Sequence, residues 1–270
     1  MKLDGKVAIV SGGGQGLGRG IVLCLAEEGA DVAIVDINGD TTKKVADEVK
    51  ALGRKSLAVV ADATDSKQVD QAVQEVIDTF GKIDILVNNV GGGGKSTWAR
   101  TSLAFVDQKE AEWDETLALN LKSHVLMCRA VVPHFLKQKS GKIVNISSIG
   151  GKGPAPQVMQ YGAAKAGVIH FTKSLAMELA EQNINVNCVC PGVIFTPLWE
   201  KLAAHYIQFI PEAKGLKPRE YFEKFVVPGV PQKRGQTPED IGRAVAFLVS
   251  EDAKNITGQS LNVDGGMVMN

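Results

Sequence analysis

A doubly wound α/β fold, one parallel sheet with helices on both faces, is the architecture this sequence predicts, and three observations predict it. Short β-branched runs alternate with amphipathic stretches throughout the 270 residues, a pattern that means a parallel sheet wound in two directions. Most of the apolar runs are nearly continuous, as strands covered on both faces are. The first run leads directly into SGGGQGLGRG, Ser11 to Gly20, six glycines in ten residues.

KVAIV (6–10) reads as the first strand and the stretch near 17–28 as the helix after the glycines. VAIVD (32–36) is the second strand, and the helix near 40–52 carries the lysine-rich KKVADEVKALGRK, a solvated face. SLAVVA (56–61), a helix near 66–80 and IDILVN (83–88) follow. A long helix near 110–138 precedes KIVNIS (142–147), and another near 159–182 precedes INVNCVC (184–190). The helix near 238–250 leads to the seventh strand, QSLNV (259–263). No internal repeat or shift in composition divides the chain, so residues 1–270 are expected to form one domain. Two stretches break the alternation: 91–109, beginning GGGGKSTWAR, and 195–237, rich in aromatics and prolines. Long connections in compact domains carry function or are disordered.

Lys+Arg and Asp+Glu both number 30, so nothing in the charge points to nucleic acid or an anionic membrane as partner. The opening MKLDGKVAIV is interrupted too soon for a signal segment, and no stretch reaches the roughly 18 apolar residues of a spanning helix. Cys24, Cys128, Cys188 and Cys190 form no C-x-x-C pair. They read as buried free thiols in a reducing cytoplasm, with Cys188 and Cys190 packed on one face of a strand. His124, His134, His170 and His205 lack metal-ligand spacing, and no metal is expected.

The glycines do not match G-x-G-x-x-G. Gly12, Gly16 and Gly18 follow G-x-x-x-G-x-G instead. Their place between a parallel strand and a helix is where backbone N–H groups and the positive end of a helix dipole meet a phosphate. Glycine lets the backbone turn sharply and a pyrophosphate approach without meeting a Cβ. Asp36 ends the second strand, where an acid accepts hydrogen bonds from an adenosine ribose.

With these residues in place, the chain resembles the classical branch of the short-chain dehydrogenase/reductase family over essentially its whole length. SGGGQGLG resembles the family's T-G-x-x-x-G-x-G loop, with Ser11 keeping the hydroxyl of the usual threonine. NNVG, Asn88 to Gly91, is similar to N-N-A-G, with Val90 in place of alanine. PGVIFT, Pro191 to Thr196, resembles the segment beside the nicotinamide, and TGQSLNVDGG the closing strand. Tyr161 and Lys165 form Y-x-x-x-K, Ser148 lies thirteen residues before Tyr161, and Asn120 matches the asparagine of the central helix. That spacing selects Ser148 over Ser147.

The resemblance implies a seven-stranded Rossmann fold, a nicotinamide cofactor and a catalytic set of Asn120, Ser148, Tyr161 and Lys165. The implied cofactor contacts are Ser11, Gly12, Gln15, Gly16, Leu17 and Gly18 in the loop, then Asp36, Ile37, Asp62 and Ala63 on the adenosine side. Asn89, Val90, Gly91, Tyr161 and Lys165 follow, with Pro191, Gly192, Ile194 and Thr196 beside the nicotinamide. NAD rather than NADP is expected: Asp36 repels a 2′-phosphate, Ile37 offers no cation, and Gln15 stands where NADP users of the family often carry a base. The resemblance also implies a homotetramer, paired through the long helices near 110–138 and 159–182 and, at a second two-fold, through the carboxyl-terminal strand.

The residue types fit alcohol–ketone chemistry. Moving a hydride to or from a carbinol carbon requires a proton to move at its oxygen. A phenol titrating near 10 is a poor base at neutral pH, and the neighbouring Lys165 ammonium is expected to lower it. Ser148 would hydrogen-bond the substrate oxygen, and Asn120 would hold a water that connects Lys165 to solvent. His124 stays open between a second base and a packed or subunit-interface histidine.

For the substrate, the segment from 195 to 237 is expected to be a lid, with Trp199, His205, Tyr206, Phe209, Tyr221, Phe222 and Phe225 in it and Trp98 and Phe105 on a second long loop. The expectation is a bulky cyclic or aromatic secondary alcohol or ketone in a catabolic pathway, with core packing as the competing use of these rings. A 3-oxoacyl thioester reductase and an NAD(H)-binding regulatory protein are the alternatives. Lys201, Lys214, Lys217 and Arg219 read as solvated charges, with contact to a carboxylate or a thioester carrier as the alternative.

Overall fold

The computed structural model describes residues 1–93 and 105–269. Among them seven strands pair in parallel: β1 (Val7–Ser11), β2 (Asp31–Asp36), β3 (Ser56–Val60), β4 (Ile85–Asn88), β5 (Gly141–Ile146), β6 (Ile184–Pro191) and β7 (Ser260–Val263). Their order across the sheet is β3-β2-β1-β4-β5-β6-β7. The chain therefore winds outward from β1 in one direction and from β4 in the other, and β1 and β4 are neighbours, Ser11 beside Asn88.

The helices are α1 (Gly16–Glu27), α2 (Gly39–Ala51), α3 (Ser66–Phe80), α4 (Glu110–Leu117), α5 (Ser123–Gln138), α6 (Met159–Leu179), α7 (Pro197–Tyr206), the single turn α8 (Pro218–Tyr221) and α9 (Pro238–Val249). Successive residues of a strand face opposite sides, and β1 shows why its run is continuous. Ala8 and Val10 pack with Ile21, Leu25, Val45, Ile241 and Val245 from α1, α2 and α9. Val7 and Ile9 pack on the other face with Val69, Val76, Met127 and Phe135 from α3 and α5. Each of the Val, Leu, Ile, Met and Phe side chains among these contributes about 1.5–3 kcal/mol by leaving water.

α1 and α9 meet closely because their contact residues are small. A Cβ at Gly20 would run into Pro238, and one at Gly242 would lie 2.6 Å from Cys24 Sγ. The long helix expected over 110–138 is divided between α4 and α5 by a wider π-helical turn, Ala118–Lys122, that carries Asn120. The expected helix over 159–182 becomes α6 followed by a tight 3₁₀ turn, Ala180–Gln182. Ser11, expected as the start of the loop, is the last residue of β1, paired with Val35.

Residues 195–237 fold on themselves. Ala203, Ala213 and Tyr221 make a small core with Tyr206, Ile210, Leu216 and Val226, separate from the two cores against the sheet. No helix among the described residues is long and apolar enough to cross a membrane.

Candidate functional site

A cavity of about 380 Å³ opens at the carboxyl ends of β1 and β4, where the winding direction reverses. Crevices at such switch points are where ligands bind in open α/β sheets. All the residues expected at the site line this cavity except Ser11 and Asn120, which are buried behind it. Leu119, Ala61, Gly92, Ile146, Ser147, Pro197 and Leu198 also line it. No motif marked these; the fold alone delivers them.

The glycine loop forms one wall. Gly12 turns with φ +65°, and its carbonyl accepts from Asn89 Nδ2 at 2.9 Å. A Cβ at Gly18 would run into that same carbonyl. Ser11 Oγ donates to Val87 O at 3.5 Å and accepts from Asn89 N at 3.2 Å, tying β1 to β4 beneath the loop. The helices α2, α3 and α9 begin with side-chain caps from Asn38, Asp65 and Thr237, whereas Gln15 makes no such bond at the start of α1. The first-turn N–H groups of α1 thus keep their free donors, beside a cradle that a Cβ would fill.

Asp36 closes this end. Its carboxylate accepts from Gly14 N at 3.0 Å and Asn38 N at 3.1 Å. Ile37 beside it is 70% exposed on the rim. Asp62 is oriented by Thr64, whose N–H and hydroxyl donate to Oδ1 at 2.8 and 2.7 Å.

At the opposite end, Asn120 brackets Gly92: Oδ1 accepts from its N–H at 2.8 Å, and Nδ2 donates to its carbonyl at 2.8 Å. Lys165 is buried and donates to Ile146 O at 2.9 Å. Burial pushes its pKa down to about 8, against an opposing pull from the Cys188 and Cys190 thiols. Gly91 lies between Asn120 and Lys165; a Cβ there would be 2.8 Å from Oδ1 and 2.9 Å from Nζ.

Tyr161 stacks its ring 5.7 Å from the Lys165 ammonium. The expected lowering of its pKa is not what this chain shows. Burial raises it above the usual phenol value, and the hydrogen bond with Ser148 opposes that only in part. The ammonium lies over the ring and is engaged by Ile146, so desolvation of the phenolate wins. The two serines separate cleanly. Ser147 Oγ donates to Lys165 O at 2.7 Å and is buried, whereas Ser148 Oγ accepts from Gly150 N at 3.1 Å and interacts with Tyr161.

His124 is fully buried with its pKa pushed down to about 3, by burial first and then by the Lys165 charge. It is a neutral packed histidine, which sets aside the second-base reading.

The lid crosses the mouth. Pro197 Cδ lies 3.5 Å from where a Gly16 Cβ would stand, and Leu198 Cδ2 3.7 Å from the corresponding point at Gly92. Of the seven aromatic residues expected in the lid, Trp199 alone lines the cavity. Its ring meets Phe222 edge-on at 5.2 Å, and Phe222 meets Phe195 at 5.4 Å. Tyr206, Tyr221 and Phe225 stack on one another, and His205 packs on Phe209. The other six therefore meet rings of the lid itself, and Phe209 stays 69% exposed at its surface. Trp98 lies outside the described residues, and Phe105 is exposed. Lys201, Lys214, Lys217 and Arg219 are exposed and do not line the cavity.

Comparison with known proteins agrees with this fold. Residues 12–268 match the family model described as enoyl-(acyl carrier protein) reductase. The chain is 38% identical over 269 residues to the 3-oxoacyl-[acyl-carrier-protein] reductase FabG of Thermotoga maritima, covering 100% of both chains. It is also 38% identical to the (2S)-[(R)-hydroxy(phenyl)methyl]succinyl-CoA dehydrogenase subunit BbsD of Thauera aromatica, covering 98% of each. Among solved structures it is similar to a 7α-hydroxysteroid dehydrogenase complexed with NADH and 7-oxo glycochenodeoxycholic acid. That match has TM-score 0.85 and 33% identity over 100% of this chain and 96% of the other.

Proposed function

Because the chain belongs to the classical short-chain dehydrogenase/reductase family and is an oxidoreductase, we propose that it interconverts a secondary alcohol and a ketone with NAD, on a bulky cyclic or aromatic substrate of a catabolic pathway. The observation that carries this is the meeting of Ser148, Tyr161 and Lys165 on the wall of one cavity whose other end is a glycine cradle closed by Asp36.

The cradle fits a dinucleotide. Gly12 and Gly18 leave no room for side chains and α1 begins without a cap, as a pyrophosphate requires. The nicotinamide, when bound, supplies or accepts the hydride. The chain's own part is the proton. Tyr161 gives or takes it at the substrate oxygen, Ser148 hydrogen-bonds that oxygen as charge develops, and Lys165 holds the nicotinamide ribose. Asn120, whose side chain is taken up by Gly92, reaches the reaction through the loop it holds; its proposed water would have to use another atom.

NAD is the proposed cofactor because Asp36 is a fixed anion: two backbone N–H groups hold its carboxylate where a 2′-phosphate would approach. The hydroxysteroid dehydrogenase carrying NADH supports the same reading. We expect kcat/KM to favour NAD over NADP at least tenfold and the ratio to narrow in Asp36→Ala. A preference for NADP in the wild type would overturn this.

For the substrate, the support is apolar lining. Leu119, Leu198 and Trp199 face the cavity, and among the described residues Lys165 is its one cation. Cyclic or aryl carbinols should exceed short alcohols and polyols tenfold in kcat/KM; the reverse order sinks the reading. A 3-oxoacyl thioester reductase is the second reading, favoured by relatives named for acyl-carrier-protein and succinyl-CoA compounds, and 3-hydroxyacyl thioesters belong in the same assay. No turnover with any of them would favour the NAD(H)-binding regulator.

We further propose a homotetramer in the cytoplasm. Exposed Val125 and Leu136 on α5, Met177 on α6 and Leu261 on β7 lie on the elements where the family resemblance implies subunit contacts. Light scattering at micromolar concentration should give four times the 28.7 kDa chain mass; a monomer would refute it. Four buried free thiols fit a reducing compartment.

A further inference from the structure

We infer that His124 is a positioning residue for this reaction, one half of a clamp that sets the Val90–Gly92 backbone against Lys165. The inference rests on the function proposed above and adds to it a residue that no motif marks.

Two side chains on one stretch of helix, four residues apart, grip the two ends of the same short loop. Asn120, in the π-helical turn, takes both backbone groups of Gly92 at 2.8 Å. His124, in the first turn of α5, places Nε2 3.0 Å from Val90 O. A carbonyl oxygen accepts only from a donor, so this contact fixes the tautomer: Nε2 carries the hydrogen. Between the two grips stands Gly91, where a Cβ would come within 2.8 Å of Asn120 Oδ1 and 2.9 Å of Lys165 Nζ and have to push them aside. The peptides from Val90 to Gly92, the wall of the cavity at this end, are thereby held at both ends and backed by the ammonium in the middle.

The other ring nitrogen shows that His124 is not filling space. Nδ1 is buried and has no hydrogen-bond partner among the described residues. An apolar side chain of similar size would avoid that unpaired acceptor. The ring is also kept neutral beside Lys165, so it grips the loop without adding a second positive charge next to the ammonium. A protonated side chain there would compete with Lys165 electrostatically.

The test compares His124→Leu, which removes the donor, with His124→Gln, whose Nε2 has similar reach. Val131→Ala, a buried α5 residue remote from the loop, is the control for destabilisation alone. Steady-state kinetics, an NADH fluorescence titration and a melting curve are recorded for each. We expect His124→Leu to lose tenfold or more in kcat/KM for NAD, with KM for the alcohol changed less than threefold. His124→Gln should recover to within about threefold of wild type. Val131→Ala should melt earlier with its kinetic constants unchanged per folded molecule.

If His124→Leu does not fold, Gly91→Ala carries the test, since its Cβ displaces the same loop from inside and should raise KM for NAD and the NADH Kd together. His124→Leu within twofold of wild type, glutamine no better than leucine, or Gly91→Ala without effect overturns the clamp while leaving the function standing. A wild type that neither turns over nor binds NADH overturns both.

Discussion

Tyr161→Phe is expected to keep its fold and its affinity for NADH and to lose about 10²–10⁴-fold in kcat, the usual worth of a positioned general acid–base group. The substitution removes one hydroxyl and leaves the ring that packs against Lys165. The hydroxyl removed is the one that meets Ser148, whereas the steric limits at Gly12 and Gly18 are set by Asn89, Val90 and the loop's own backbone. The direction of the pH dependence follows from the raised pKa of Tyr161. The base form is scarce at neutral pH, so alcohol oxidation by the wild type should accelerate as pH rises. Ketone reduction, which uses the protonated form, should not. Stopped assays from pH 6 to 10 on both proteins check this. A phenylalanine variant retaining more than about a tenth of wild-type kcat would remove Tyr161 from the chemistry.

Gly18→Ala is expected to weaken NADH binding at least a hundredfold, about 2.8 kcal/mol at 1.4 kcal/mol per factor of ten. The new methyl would run into Gly12 O and lie 2.7 Å from Asn89 Nδ2. Neither obstacle can rotate away: the first is backbone, and the second is held by its bond to the first. The loop must open at its tightest point, where the N–H groups of α1 face the cavity. Gly153→Ala is the matching control, because a Cβ there meets nothing within 4 Å. Fluorescence titration with NADH, alongside a melting curve, separates lost binding from lost fold. A Kd within threefold of wild type in the folded alanine variant would show that the loop is not a cradle.

What could be read before the structure was whatever repeats or sits locally in the chain. Continuous apolar strands reveal a sheet covered on both faces, and the spacing of Gly12, Gly16 and Gly18 reveals a turn between strand and helix. Ser148 was separable from Ser147 by its distance from Tyr161, and the structure supplies the reason: β5 ends at Ile146, after which Ser147 is spent on the Lys165 carbonyl. Partnership across the chain was not legible. Seven lid aromatics could be counted, but which ring meets which depends on how 195–237 folds back on itself. The phenol of Tyr161 failed for the same reason. Its spacing from Lys165 was visible, whereas the depth of its burial belongs to the assembled fold. His124 stayed open between a second base and a packed or subunit-interface histidine because the Val90 carbonyl it meets is 34 positions away.

The close seating of α1 on α9 bears on how the molecule is made. During synthesis the chain emerges at about 5–20 residues per second, and α1 leaves the ribosome long before Ile241 and Val245 exist to cover it. For roughly 10–50 s, at that rate, the apolar face of Ile21 and Leu25 has its partners in β1 and α2 but not those in α9. The nascent protein must shield that surface by transient collapse or by chaperones. The helix that carries the dinucleotide cradle is thus translated among the first and finished among the last. Premature termination between Asp36 and α9 would leave the whole cradle motif present in the polypeptide but without the support of α9.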